Sequence, residues 1–211
     1  MLVLSSKRLV SASVALSVVL GIIAFLGHDW MWMIIDAICV VLLVIPYVKD
    51  LGYCYNRNIV AMSMVAPVVA SAVYVLNFFF SLESEILWQV NLYTYVTAGI
   101  QAYQCFLLGF MLSVILDRSY NLTMTVPWMV VFALTFAMSM TVLDMFFTFG
   151  LMYAEGYPVF NQDFYDSDRY TNYLLMSSPM ASTIVTAVFA VLMFIRGRGK
   201  DKEFFIEEVT A

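Results

Sequence analysis

Charge is scarce in this sequence. Asp, Glu, Lys and Arg together make up 12% of 211 residues, against about 25% in an average soluble chain. Histidine occurs once, at His28, so neither a His-based catalytic triad nor a His-rich metal site can be assembled. The three cysteines, Cys39, Cys54 and Cys105, stand in or beside apolar stretches, without the CxxC spacing of a redox or zinc motif. Buried structural thiols are the expectation for them. P-loop, GxGxxG and HExxH motifs are also missing, so any energy from nucleotide hydrolysis has to come from another chain. No cofactor or metal is expected. There is no internal repeat and no low-complexity tract.

What fills the chain instead is apolar. Hydrophobic residues make up 63% of it, with a mean hydropathy of +0.89, and no soluble fold of this size can hide that much apolar surface. The net charge of −5 is spread over short loops and tails, so it carries little information about partners and does not imply nucleic acid.

Runs long enough to span a bilayer occur at about 9–27, 31–48, 59–80, 87–116, 126–151 and 173–195. The first follows Lys7 and Arg8 as a signal peptide would. It exceeds the usual h-region and no A-x-A cleavage site follows, so it is expected to remain as a helix. The fourth run is longer than one perpendicular crossing, which places Trp88, Tyr93 and Tyr95 at its start in an interfacial aromatic belt. The expected fold is therefore all-α: a polytopic transmembrane helical bundle of about six helices over residues 1–196, with a short cytoplasmic tail at 197–211.

Cation placement gives an independent check on the span count. Lys7, Arg8, Lys49, Arg57, Arg118, Arg196, Arg198, Lys200 and Lys202 all fall on one side of a six-span chain, and the opposite loops contain only Arg169. The positive-inside rule then predicts a multi-pass cell-membrane protein with both termini in the cytoplasm. The outer loops are acidic, with Glu83, Glu85, Glu155, Asp163, Asp166 and Asp168. In the longest of them, about 152–172, aromatics alternate with the acids; it is either a lid over the helix ends or a loop anchored at headgroup level. Phe204, Phe205 and Ile206 in the tail suggest either an amphipathic turn on the membrane surface or a disordered end.

Two acids lie within the apolar runs, and an ionisable group there is a functional hypothesis by default. Asp36 in the second helix and Asp144 in the fifth both fall about 7–11 Å below the outer boundary, at 1.5 Å per residue. No Lys, Arg or His lies within any run to pair with them. Each must then be protonated, hydrated from outside or matched by a bound cation, unless it simply hydrogen-bonds neighbouring helices and tethers the bundle.

Other polar residues surround that layer. Asn91, Thr94, Ala98, Gln101 and Gln104 form a stripe along helix four, and helix three offers Ser63, Tyr74 and Asn77 around Pro67. Helix five adds Thr141 and Thr148, and helix six adds Ser178, Ser182 and Thr186 near Pro179. Singly, such residues serve as interhelical glue more often than as ligands. A proline inside a span frees a backbone carbonyl that can line a site or hinge a gate. Ser13, Ser17 and Gly21 give helix one a small-residue face for close helix contact. The candidate substrate- or ion-binding residues are Asp36, Asp144, Asn77, Gln101 and Gln104.

The order of the last three helices resembles the YjdF-like family of uncharacterised six-helix membrane proteins. The matching stretches are 88–112, and 142–189 headed by Leu143-Asp144-Met145-Phe146-Phe147. Where that family has a histidine in the helix-four segment this chain has Tyr93 and Thr94, and aspartate replaces its glutamate. The resemblance implies a six-helix membrane fold and no activity.

Three functions compete at this point. A transporter, channel or substrate-binding subunit would take a cation or small polar solute through the Asp36/Asp144 layer from outside. A structural or accessory subunit would use its polar residues only to hold helices and would copurify with other membrane subunits. An intramembrane aspartyl hydrolase would need Asp36 and Asp144 close enough to share a proton, yet neither acid sits in a GxGD motif.

Overall fold

The computed structural model describes residues 2–26, 30–49, 51–80, 87–120, 122–154, 182–196 and 206–208. Six helices account for nearly all of them: α1 Leu2–Leu26, α2 Trp30–Val48, α3 Arg57–Phe80, α4 Leu87–Ser119, α5 Val126–Ala154 and α6 Ser182–Arg196. Each coincides with one of the six apolar runs. Residues 155–181, which take in most of the acidic loop and the start of the sixth run with Ser178 and Pro179, and most of the tail lie outside the described residues.

Local chemistry sets the helix ends. Asn56 begins α3, its carbonyl accepting the Ile59 and Val60 amides. Asp117 Oδ1 accepts the Met124 amide at 2.5 Å, holding the short α4–α5 connection in which Thr123 adopts a positive φ of 33°. Pro127 follows at the start of α5, where its missing N–H costs nothing.

The central element is α4. From Ala102 to Met111 every residue is buried, and α4 packs on α2, α3 and α5, while α1 packs on α2 and α3. Phe106, Phe110, Met111 and Val114 of α4 form the middle of one core with Leu43 of α2, Ile59 and Val60 of α3, Met129 and Ala133 of α5, and Met193 of α6. Crossing is closest at Gly109. A Cβ added there would lie 2.9 Å from Phe136 Cβ and 3.0 Å from Ala133 Cα, so only glycine lets α4 and α5 approach this far.

Burial is unequal between helices, and that bears on their surroundings. Three helices are long and apolar enough to cross a membrane, over Arg8–Leu26, Ala98–Ser119 and Val126–Leu143. Most of the α4 segment is buried, whereas the α1 and α5 segments turn most of their residues outward. Val18, Ile22, Phe25, Leu143 and Phe146 are among the large apolar side chains left exposed.

One feature differs from expectation. The tail contributes a strand, β2 Ile206–Glu208, that pairs antiparallel with β1 Tyr53–Tyr55 between α2 and α3, with Cys54 opposite Glu207. Gly52, at φ 73°, turns the chain into β1. The residues 206–208 are thus neither an amphipathic turn nor disordered: the unpaired edge of β1 gives their backbone a hydrogen-bonding partner.

Candidate functional site

Four helices bring their polar side chains to one place inside the bundle. Ser13 and Ser17 come from α1, Asp36 from α2, Ser63 from α3 and Gln104 from α4; together they line a cavity of about 10 Å³, room for about one water. All five are buried, Asp36 to 4% and Gln104 to 2% residual exposure. Cys39, Leu43 and Leu107 close the apolar side.

Each helix reaches the cavity for a local reason. Ser13 and Ser17 are one turn apart, on the face of α1 that packs against α2 and α3. Ser63 stands four residues before Pro67, whose missing N–H leaves the Ser63 carbonyl without its intrahelical donor. Gln104 sits in the buried stretch of α4, and its backbone carbonyl accepts a long contact from the Cys39 thiol at 4.0 Å.

The hydrogen bonds can be followed donor by donor. Ser63 Oγ donates to the Val60 carbonyl at 2.7 Å, so in the 3.0 Å contact between Ser13 and Ser63 the donor must be Ser13. The Ser17 hydroxyl bonds to the Asp36 carboxyl. Every serine proton at the cavity is thereby committed. Asp36 Oδ1 and Gln104 Oε1 remain as buried acceptors with no partner, and no cationic side chain among the described residues pairs with Asp36. A buried acceptor left this way costs about 1–3 kcal/mol, more when charged, and native structures contain few of them.

The sequence candidates separate accordingly. Asp36 and Gln104 come together at the cavity. Gln101, nearly one turn earlier on α4, is only partly buried and is not part of the lining. The side chains of Asn77 and Asp144 lie outside the described residues, as do those of Asn91, Thr94, Tyr74 and Thr148. α5 contributes no described residue to the cavity. Ser13 and Ser17, read from sequence as a packing face, are cavity residues as well; Gly21, on the same face, has nothing within 4 Å of an added Cβ. The signal that could have revealed the site is the Ser63–Pro67 spacing, which frees the carbonyl of a residue that is itself polar.

Other polar contacts are fully used in packing. Tyr103 donates to the Met62 carbonyl at 2.7 Å and its ring meets Phe189 at 4.5 Å. Ser182 donates to the Ala98 carbonyl, joining α6 to α4, and Thr186 and Thr141 bond back to carbonyls of their own helices. Between α3, α4 and α6 lies a wide groove of about 530 Å³ whose walls are almost entirely apolar.

A second buried polar patch surrounds β1. Tyr47 donates to the Tyr55 carbonyl, and the Tyr55 hydroxyl makes a long contact to the Met111 carbonyl at 3.5 Å. The Tyr53 hydroxyl is buried without a partner. Burial pushes both phenols above their usual range, and the nearby Arg118 charge partly offsets this for Tyr53.

Comparison with protein-family models, with curated proteins and with solved structures gives no match for this chain.

Proposed function

We propose that the chain is a six-span membrane protein of the cell membrane, with both ends in the cytoplasm. In this reading it binds a small cation or polar solute at the Asp36 cavity, as a transporter or a membrane substrate-binding subunit. The observation that carries the reading is the buried, unpartnered carboxyl oxygen of Asp36, a residue that lines the same small cavity as Gln104, whose side-chain oxygen is also unpartnered. A group that costly, without a partner in the fold, is what a site completed by a ligand looks like.

Three observations support the membrane part. Three helices have the length and composition to span, their outward faces are apolar, and nine of ten cations gather on one side of the six-run pattern. The YjdF-like resemblance of the last three helices fits the same topology and supplies no chemistry.

Counting along the helices at 1.5 Å per residue gives the cavity a depth. Asp36 and Gln104 lie about 20 Å from the flanking Lys49 and Arg118, while Ser13 and Ser63 lie about 8–9 Å from Arg8 and Arg57. In this six-span reading the residues lining the cavity lie about 8–20 Å from the cations that flank their helices.

The test is a thermal-shift screen of inorganic cations and small polar solutes on the purified full chain, repeated on Asp36→Asn. Saturable stabilisation by at least one compound, lost in the variant, is the expected result. An unchanged response in Asp36→Asn would remove Asp36 from any binding role.

A further inference from the structure

We propose that the Asp36 cavity is a site for one dehydrated monovalent cation of Na⁺ or Li⁺ size, held in exchange with a proton on the same carboxylate; this rests on the binding role given to Asp36 above. The protons of Ser13, Ser17 and Ser63 are committed, the Cys39 thiol points at a backbone carbonyl, and Asp36 Oδ1 and Gln104 Oε1, on two residues that line the cavity, have no partner. An ionised Asp36 carboxylate there calls for a positive charge or a proton to offset it.

Three species of the right size could occupy the cavity. A water would satisfy both acceptors but leave the carboxylate charge uncompensated in a low-dielectric interior. A proton on Asp36 removes the charge and provides an O–H donor for the neighbouring acceptor. A monovalent cation removes it too, and finds a set of hard oxygen ligands: the Asp36 carboxylate, the Gln104 amide oxygen and the serine hydroxyls. Divalent ions are disfavoured, since one carboxylate would leave a buried net charge of one, and no group of three or more His, Cys, Asp or Glu side chains that could hold a metal occurs among the described residues. At about 10 Å³ the cavity also excludes organic ammonium ions and sugars.

Exchange follows from both ligands neutralising the same oxygen atoms. When the cation enters, the carboxylic O–H breaks, the proton leaves to water and the carboxylate keeps the electron pair, so charge at the site is unchanged. Little else nearby competes for that proton. Around Asp36 the cavity is lined by Ser13 and Ser17 from α1, Ser63 and Ala66 from α3, and Gln104 and Leu107 from α4; among the described residues the other titratable groups there are the thiols of Cys39 and, beyond it, Cys105.

The experiment uses the purified full chain in mild detergent at constant ionic strength, with NaCl, LiCl or choline chloride as the probe. NaCl or LiCl is expected to raise the unfolding temperature saturably and choline chloride not to. In the acidic range, the half-saturating concentration should rise about tenfold per unit fall in pH, as one-for-one competition requires. In a weakly buffered solution, addition of NaCl should release up to about one proton per chain, read by a pH dye. Asp36→Asn should lose both responses. Gln104→Leu, which keeps the carboxylate but removes an oxygen ligand, should weaken cation binding at least about tenfold, and it decides the matter if Asp36→Asn does not fold. Equal responses to sodium and choline, or sodium binding without proton release at any pH, would overturn the proposal. Binding of an organic solute that depends on Asp36 in choline buffer would overturn it while leaving the binding role intact; no Asp36-dependent response to any probe would end both.

Discussion

Asp36→Asn is expected to stabilise the protein when no cation is present. The substitution is nearly isosteric, and the Ser17 hydroxyl can still donate to the remaining amide oxygen. It removes a buried carboxyl and replaces an unpartnered acceptor, Oδ1, with an NH₂ that can donate toward the Gln104 oxygen lining the same cavity. Each orphaned acceptor costs about 1–3 kcal/mol. Relieving one fully and the other in part should raise the unfolding free energy by about 1–3 kcal/mol, since replacing a buried charge by a neutral group of equal volume is often stabilising. The assay is reversible unfolding in mild detergent with choline as the sole cation, at a pH high enough to ionise the carboxyl, followed by tryptophan fluorescence. If Asp36 were instead a tether holding α2 to its neighbours, the variant would lose about 1 kcal/mol or more. That outcome would refute the reasoning and leave Asp36 as a structural residue.

Gly109→Ala should destabilise by about 1–2 kcal/mol, because forcing a methyl group against Phe136 and Ala133 costs more than the helix propensity gained. Gly21→Ala, with open space around it, should be neutral or up to about 1 kcal/mol stabilising in the same unfolding assay. Tyr53→Phe removes a buried hydroxyl that has no partner and should be neutral to about 1 kcal/mol stabilising. Tyr53 and Tyr55 are pushed above the usual value near 10, so their contribution is fully present below about pH 10 and is lost as pH rises through the folded-state values. The wild type should accordingly lose stability above about pH 10, and Tyr53→Phe should lose less. Truncation after residue 196 strips β2 from β1, and labelling by a soluble maleimide should increase at Cys54 and not at Cys39 or Cys105, all three of which are buried in the intact protein.

The helices were legible because each is an uninterrupted apolar run, and a helix lies on each of the six runs, α1 starting seven residues before its run at Leu2 and α6 described from Ser182. The three-residue strands were not. Tyr53–Tyr55 is too short to show alternation, and its partner lies some 150 residues away in the sequence. For the site, hydropathy singled out Asp36 as an acid without a cation, and periodicity placed Gln104 on a polar stripe. What a single sequence lacks is the partner of each helix face, since a period of 3.6 orients a side chain about its own axis and is silent on which neighbour it meets. For that reason Gln101, equally polar, looked equivalent to Gln104, while Ser13 and Ser17 read only as a packing face. Gly109 went unread because a lone glycine in an apolar helix has no pattern; its role depends on Ala133 and Phe136 of another helix.

The central claim is that the Asp36 carboxyl meets its ligand inside the bundle. Infrared difference spectroscopy between sodium-loaded and choline-loaded protein at mildly acidic pH reads that carboxyl directly. Sodium is expected to remove one protonated-carboxyl band, and Asp36→Asn to abolish the difference. A spectrum unchanged by sodium, or a band that persists in the variant, would contradict it.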